Sequence, residues 1–244
     1  MNNTIQELFD RKSIRVFTEQ PIAPEEKTLI LRSAAMAPTA GNQQLYTILD
    51  ITDQAIKDAL VKTCDNQPFI ATAPLVLIFC ADCKKWYEAF LAEGCEPRKP
   101  GVGDLTLAMA DAIIAAQNAV VAAQSLGIGS CYIGDITENC EQQRALLGLP
   151  RYVYPACMVV FGYPTEQQLR RPKPERSPLD TIVHENGYRQ MDRAELRRML
   201  ATHPGPQQSY AQWIQAFCKR KYNSDFSREM TRSVGEFLKD FTEE

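Results

Sequence analysis

Apolar residues recur along the chain in runs that have the length of a β-strand. The segment 74–81 (PLVLIFCA) is apolar throughout, which is typical of a strand buried on both faces, and residues 153–162 repeat this pattern. Residues 45–52 predict a third strand. The segment 127–133 ends a helix and begins a short fourth strand. These strands predict a central sheet.

Helical spacing of apolar residues covers much of the remaining chain. Turn-forming composition predicts loops at 38–42, 94–103 and 163–180. Because helices are interleaved with buried strands, the pattern indicates an α+β or an α/β fold. The predicted helices span residues 4–11, 24–37, 53–63, 84–93, 104–126, 137–147, 207–220 and 225–241.

The predicted helix 104–126 is apolar on almost every side. A helix of this kind is buried all round, so we expect a partner subunit to cover one of its faces. Asp111 and three amides interrupt its apolar tract, which therefore falls short of a membrane span. Several charges and few turns in the C-terminal region predict an arm that packs on the domain or on the partner.

Length and composition exclude several classes of protein. The 244 residues, 45% of them hydrophobic, suffice for one large domain with or without a terminal appendage. The net charge of −3 argues against nucleic-acid binding. The two histidines have no second ligand at metal-binding spacing, so we expect no metal site. The N-terminal MNNTIQELFD lacks the apolar core of a signal peptide, and we expect a cytoplasmic protein.

The eight cysteines are expected to be reduced thiols. Cys80 and Cys83 have the spacing of a redox pair, but they also fit a strand end and the loop that follows it. We favour the packing role, on the reasoning that no helix begins after them as it does in thioredoxin.

Basic residues are bunched in three places, around Arg11, around Arg171 and at 219–221. Each cluster fits either a solvated surface or a site for a small anion. No Rossmann or P-loop glycine pattern follows a strand.

Five segments, in order, resemble the nitroreductase superfamily, and in particular its branch of NADPH-dependent nitroreductases and flavin reductases. The resemblance covers roughly residues 4–190 and implies an α+β fold, with a central sheet flanked by helices and an intertwined homodimer. It also implies FMN as the cofactor. We therefore predict an FMN-binding domain at 1–190 and a helical arm at 191–244. The segments are 11–17 (RKSIRVF), 34–44 (AAMAPTAGNQQ), 66–69 (NQPF), 127–135 (GIGSCYIGD) and 171–188 (RPKPERSPLDTIVHENGY).

The resemblance assigns the flavin phosphate to the first and fifth segments. Arg11, Ser13 and Arg15, with Lys12 between them, offer charges and a hydroxyl in one short stretch, which suits a dianion. Relatives add a Lys and an Arg from the later loop, here Lys173 and Arg176. This chain reads K-P-E-R where the branch has K-P-R, so Arg171 is an alternative to Lys173.

The other segments are expected to line the flavin ring. Thr39, Ala40, Gly41 and Gln44 belong to a turn that relatives supply from the other subunit, and small side chains there let backbone approach the flavin. Gln67 matches the position that binds the pyrimidine edge. The segment 132–135 passes the ring, and its members are Tyr132, Ile133, Gly134 and Asp135.

The implied activity is a ping-pong hydride transfer from NADPH or NADH through FMN to a small oxidant such as a nitroaromatic or a quinone. No protein group is predicted as catalytic acid, base or nucleophile. The alternatives are a flavin reductase that supplies reduced FMN and a flavin-binding protein without turnover. The cluster 219–221 is a candidate for the NADPH 2′-phosphate, or else a charged helix end.

Overall fold

The computed structural model describes residues 1–203, 205 and 208–242. Its centre is a four-stranded antiparallel sheet in the order β1-β2-β4-β3. The four predicted strands are confirmed, with bounds of β1 Tyr46–Asp50, β2 Leu75–Asp82, β3 Gly129–Ile133 and β4 Val153–Gly162.

Helices cover both faces of this sheet. The bounds are α1 Asn3–Asp10, α2 Pro24–Ala35, α3 Gln54–Thr63, α4 Phe69–Thr72, α5 Lys84–Ala92, α6 Val102–Ser125, α7 Cys140–Leu147, α8 Glu166–Arg170, α9 Arg193–Met199, α10 Tyr210–Lys221 and α11 Asp225–Thr242.

All eight residues of β2 are buried, because a hydrophobic core lies on each face of the sheet. Leu77 and Phe79 pack with the alanines of α6 on one face. Ile78 and Cys80 point to the other face, where Phe237 of α11 completes the core. The continuous apolar run at 74–81 is thus explained by burial on both sides.

The structure corrects several predicted elements. The stretch 163–180 is not loop throughout, because it contains α8, and α4 and α9 were not predicted. The helix predicted at 137–147 begins at Cys140, since Asn139 before it has a left-handed φ of 52°. The helix predicted at 207–220 begins at Tyr210, and Gln207 lies outside the described residues.

The chain divides into two compact units. Residues 1–171 and the segment from Glu229 onward form the first, and Pro172–Arg228 form the second. The sheet lies in the first unit, whereas α9 and α10 lie in the second. These limits differ from the predicted boundary at 190. The division into an FMN-binding domain at 1–190 and an arm at 191–244 stays a prediction, and the last two residues of that arm lie outside the described residues.

Among the described residues, one helix, α6, is long and apolar enough to cross a membrane by length and composition. Its packing against the sheet is typical of a core helix. Asp111 lies buried at its middle.

Candidate functional site

The segment 11–15 is fastened to the edge strand β3. Ser13 pairs with Ser130 in a parallel bridge, and the N–H of Ile14 donates to the carbonyl of Ser130 at 2.9 Å. A Cβ at Gly129 would lie 2.5 Å from Ile14 Cγ1, so only glycine allows this close approach. The backbone that carries Arg11, Ser13 and Arg15 is therefore held in one place.

Two guanidinium groups of this segment reach aromatic rings of other predicted site segments. Arg11 Cζ lies 5.8 Å from the ring centre of Tyr132, and Arg15 Cζ lies 5.9 Å from that of Phe69. These distances are typical of cation–π contacts. Burial raises the pKa of the Cys131 thiol, and the positive charges of Arg15 and Arg11 oppose this shift. The fold thus brings three of the five segments together.

Arg171 approaches the same segment from the end of α8. Its Nη2 donates to the carbonyl of Ser13, and its Nε is buried without a hydrogen-bond partner among the described residues. Gln168 Oε1 accepts from the N–H of Arg15 at 3.4 Å. The structure therefore places Arg171 beside the phosphate ligands that the first segment is predicted to supply.

Lys12 binds backbone in this arrangement. Its Nζ donates to the carbonyl of Leu169 at 2.7 Å and to that of Arg171. The ammonium group thereby ties segment 12–15 to the segment that carries Arg171. Lys173 and Arg176 belong to the second unit, and their part in the site stays a prediction.

The predicted turn at 39–44 is held by a buried carboxylate, Asp111 of α6. The Asp111 side chain accepts hydrogen bonds from the hydroxyl of Thr39, from the N–H of Ala40 at 3.0 Å and from the N–H of Leu45 at 3.1 Å. The Thr39 hydroxyl in turn accepts from the N–H of Gln44 at 2.7 Å. A residue that is 3% exposed therefore sets the shape of the turn.

Sequence reasoning treated Asp111 only as an interruption of an apolar helix. A single acid inside such a helix is itself a signal, since a buried carboxylate needs donors around it. The turn also needs left-handed backbone at Gly41, Asn42 and Gln44, with φ of 56°, 57° and 51°. Such a backbone requires firm local support.

Gln67 follows a strained corner at which Asp65 and Asn66 have φ of 56° and 52°. Its Nε2 donates to the carbonyl of Cys64 at 3.0 Å, which fixes the side-chain amide. The predicted role of Gln67 toward a flavin stays a prediction.

The segment 132–135 covers the end of β3 and the turn that follows it. Tyr132 and Ile133 are the last residues of β3, and Gly134 and Asp135 begin a 3₁₀ turn, Gly134–Thr137. The Tyr132 hydroxyl donates to Gln117 Oε1 at 3.3 Å, and burial raises the pKa of this tyrosine.

Glu138, which the sequence analysis missed, lies at the acidic end of this region. It is 6% exposed. Burial raises its pKa to about 7, and the negative charges of Asp135, Asp65 and Glu229 add to the effect. Asp135 is near Glu138 in sequence, but only folding brings Asp65 and Glu229 close to them, so spacing alone did not single out Glu138.

The thiols of Cys80 and Cys83 are both buried. The argument that no helix follows them was wrong, because α5 begins directly after Cys83. Burial raises the pKa of each thiol to about 12, which disfavours the thiolate that redox exchange requires. This supports the packing role.

Comparisons with known proteins agree with this geometry. Residues 8–163 match the model of the Nitroreductase family. The oxygen-insensitive NADPH nitroreductase of Salmonella typhimurium (strain LT2) is 34% identical over 81% of this chain and 80% of that protein. The FMN reductase [NAD(P)H] of Bacillus subtilis (strain 168) is 29% identical over 97% of this chain and 91% of that protein. Nitroreductase A from Vibrio parahaemolyticus superposes with a TM-score of 0.82, at 26% identity and 98% coverage of each chain.

Proposed function

The chain belongs to the nitroreductase family, and we propose from this membership and from its site that it is an NAD(P)H-dependent flavin oxidoreductase with FMN as its cofactor. Its relatives carry the names NADPH nitroreductase and FMN reductase. The substrates that fit these names are nitroaromatics, quinones and similar small oxidants.

One observation carries the assignment of FMN. Arg11, Ser13 and Arg15 lie on one stretch of backbone beside β3, and the guanidinium of Arg171 binds that stretch at the Ser13 carbonyl. Guanidinium and hydroxyl donors of this kind suit a dianionic phosphate, because hydrogen bonds between charged groups are the stronger ones. The donor set thus fits the phosphate end of FMN.

Bound FMN supplies the hydride chemistry, and the protein supplies position and electrostatics. The proposed task of the segment 11–15 and of Arg171 is to hold the phosphate. Asp111 holds the turn 39–44, in which Ala40 and Gly41 have small side chains. Gln67 and the 132–135 segment complete the proposed set, in which no side chain serves as acid, base or nucleophile.

A second candidate function within the same class is the supply of reduced FMN to another enzyme. The likeness to an FMN reductase favours it. The two functions differ in whether FMN stays bound through turnover, so retention of FMN during gel filtration after reduction separates them.

We also propose a cytoplasmic homodimer, in which the C-terminal arm packs on the domain or the partner. The apolar residues that α6 leaves exposed, Leu107, Ile113 and Ile114, support the dimer. Free thiols among the described residues agree with a reducing compartment. Lys219–Lys221, at the end of α10, is the proposed contact for an NADPH 2′-phosphate.

Stopped-flow reduction of the purified yellow protein tests the function. We expect NADPH or NADH to bleach the flavin absorbance in a single-turnover reaction, and a nitroaromatic or quinone to restore it. Protein that takes up no FMN, or bound flavin that neither nicotinamide reduces, would refute the proposal.

A further inference from the structure

The C-terminal helix α11 carries one hydroxyl that the first unit encloses completely. Ser233 is 0% exposed. Its Oγ donates to the carbonyl of Thr137 at 2.7 Å and accepts from the N–H of Cys140 at 2.8 Å. One side chain of α11 therefore binds the backbone on both sides of residues 138 and 139.

The start of α7 takes its cap from this other helix. The residue before Cys140, Asn139, has a left-handed φ of 52°, and its side chain caps no N–H of α7. The first N–H groups of a helix need acceptors from outside that helix. Ser233 supplies the acceptor for Cys140 from 93 residues along the chain.

The backbone that Ser233 binds continues directly into the segment that is proposed to line the flavin ring. Gly134 and Asp135 begin the 3₁₀ turn that ends at Thr137. The Thr137 hydroxyl donates to the carbonyl of Gly134 at 3.0 Å. The N–H of Glu138 donates to the carbonyl of Asp135 at 3.0 Å. A displacement of Thr137 would therefore reach Gly134 and Asp135 within one turn.

The same stretch of backbone also reaches the corner that carries Gln67. Asn139 Nδ2 donates to the carbonyl of Thr63 at 3.0 Å, and the N–H of Asn139 donates to Glu229 Oε1 of α11 at 3.3 Å. The next residue along the chain, Cys64, accepts from Gln67 Nε2 with its carbonyl at 3.0 Å. Helix α11 is thus linked to two of the segments that are proposed to contact the flavin.

The part of α11 that carries Ser233 is anchored in the hydrophobic core. Phe237, one turn after Ser233, is fully buried, and its ring lies 5.1 Å from that of Tyr154 in β4. Asp240 pairs with Arg144 of α7 at 2.5 Å. A hydroxyl on an element held in this way keeps its hydrogen-bond partners within a narrow range of positions.

We propose that Ser233 is a positioning residue of the flavin site. Its hydroxyl fixes the backbone at 137–140 and thereby sets the position of Gly134 and Asp135 against the flavin ring. This role rests on the proposed function, because it requires FMN at that place. It affects the rate of flavin reduction, whereas the phosphate end of FMN is assigned to Arg15, Arg171 and their neighbours.

Stopped-flow reduction of the FMN-loaded protein tests the proposal. Ser233→Ala should lower the limiting rate of flavin reduction by NADPH about tenfold or more, because small displacements around a reacting group cost rate steeply. The dissociation constants of FMN and NADPH should stay unchanged. The visible absorption maximum of bound oxidised FMN should shift, since the surroundings of its ring change. Ser233→Cys keeps a weak donor and acceptor and should recover part of the rate.

Thr242→Val is the matched control for the loss of a hydroxyl from α11. The Thr242 hydroxyl bonds the carbonyls of Leu238 and Lys239 in its own helix. This variant should match the parent protein in rate and in absorption. If circular dichroism shows Ser233→Ala to be unfolded, Thr137→Val replaces it. It breaks the next link, to Gly134, and should cause the same changes.

A folded Ser233→Ala protein with the parent rate and the parent absorption maximum would overturn the proposal, even if its melting temperature fell. The hydroxyl would then serve only as a cap of α7. Equal losses of rate in Ser233→Ala and Thr242→Val would overturn it too. Parent protein that takes up no FMN, or whose flavin neither NADPH nor NADH reduces, would refute the proposed function and this inference with it. The ratio of variant to parent rates tests Ser233 alone.

Discussion

Arg171 is the residue whose contacts say most about the phosphate site. Its guanidinium binds the Ser13 carbonyl, and its Nε is buried without a partner among the described residues. A phosphate oxygen would satisfy such a donor. This favours the sequence alternative in which Arg171 takes the role that relatives give to a lysine.

Arg171→Ala should therefore weaken FMN binding by about 1.5–3 kcal/mol, the range for hydrogen bonds to charged groups. Riboflavin, which lacks the phosphate, should bind both proteins equally, and fluorescence titration measures each affinity. The control is Arg170→Ala, because Arg170 is exposed and forms an ion pair with Glu166 one helical turn before it. Equal losses for FMN and riboflavin would mean that Arg171 only holds the loop.

Asp111 is a second residue with a measurable task. Asp111→Ala removes the acceptor of the partly buried N–H of Ala40 and of the buried N–H of Leu45, at a cost of about 2–5 kcal/mol of unfolding free energy. Urea denaturation measures this, with Asp58→Ala on an exposed face of α3 as the control. A decrease of less than about 1 kcal/mol in the free energy of unfolding would show that the turn keeps its shape without Asp111.

At the scale of elements, the C-terminal helix α11 is part of the first unit's core. Phe237 meets Tyr154 of β4 at a ring distance of 5.1 Å, and Asp240 pairs with Arg144 of α7 at 2.5 Å. Glu229 on the same helix accepts from the N–H of Asn139 at 3.3 Å, beside the buried Glu138. Ionisation of Glu138 is therefore linked to the packing of this helix.

The pH dependence of stability follows from the raised pKa of Glu138. Its pKa is about 7 in the folded protein and about 4.5 in the unfolded chain. The folded state thus binds more protons between these two pH values. Ionisation of Glu138 therefore lowers the free energy of unfolding as the pH rises from 4.5 through 7. Glu138→Gln should stabilise the protein at pH 8 and lose that advantage at pH 4.5.

Urea denaturation at pH 8 and pH 4.5 measures this difference between the variant and the parent protein. Glu93→Gln, at an exposed position, is the matched control and should change neither value. A gain that is the same at both pH values would mean that the amide packs better and that charge has no part in it.

At the scale of the whole molecule, α6 buries one face against the sheet and exposes large apolar groups elsewhere on its surface. Leu107 is 52% exposed, and Ile113 and Ile114 are also exposed. Such a face on a core helix fits a symmetric interface between two copies.

Ile114→Asp should weaken the dimer by about 2 kcal/mol or more, because it buries an unpaired charge. Sedimentation velocity over a concentration series measures the dissociation. Gln142→Asp, on the exposed side of α7, is the control. FMN should be lost along with the dimer if the turn 39–44 serves the partner's flavin, and a monomer that retains FMN would contradict that arrangement.

The sequence by itself determined the strands, the long helices and the family. Continuous apolar runs such as 74–81 admit little but a buried strand, and helical spacing over 24 residues is hard to mistake for another structure. The sequence analysis missed short helices because few residues define them: α4 has four residues and α8 has five. Motifs in a known order identified the residues around Arg11, Thr39 and Gln67 as candidates.

Only the tertiary structure decided which side chains hold those candidate site residues in place. Asp111 is 71 residues from Ala40, and Arg171 is 158 from Ser13, so local spacing carries no information about these contacts. Likewise, Glu138 has a raised pKa because folding buries it and brings Asp65 and Glu229 near it. Hydrophobic periodicity reports local geometry and burial, whereas hydrogen-bond partners and electrostatic neighbours depend on how distant segments pack.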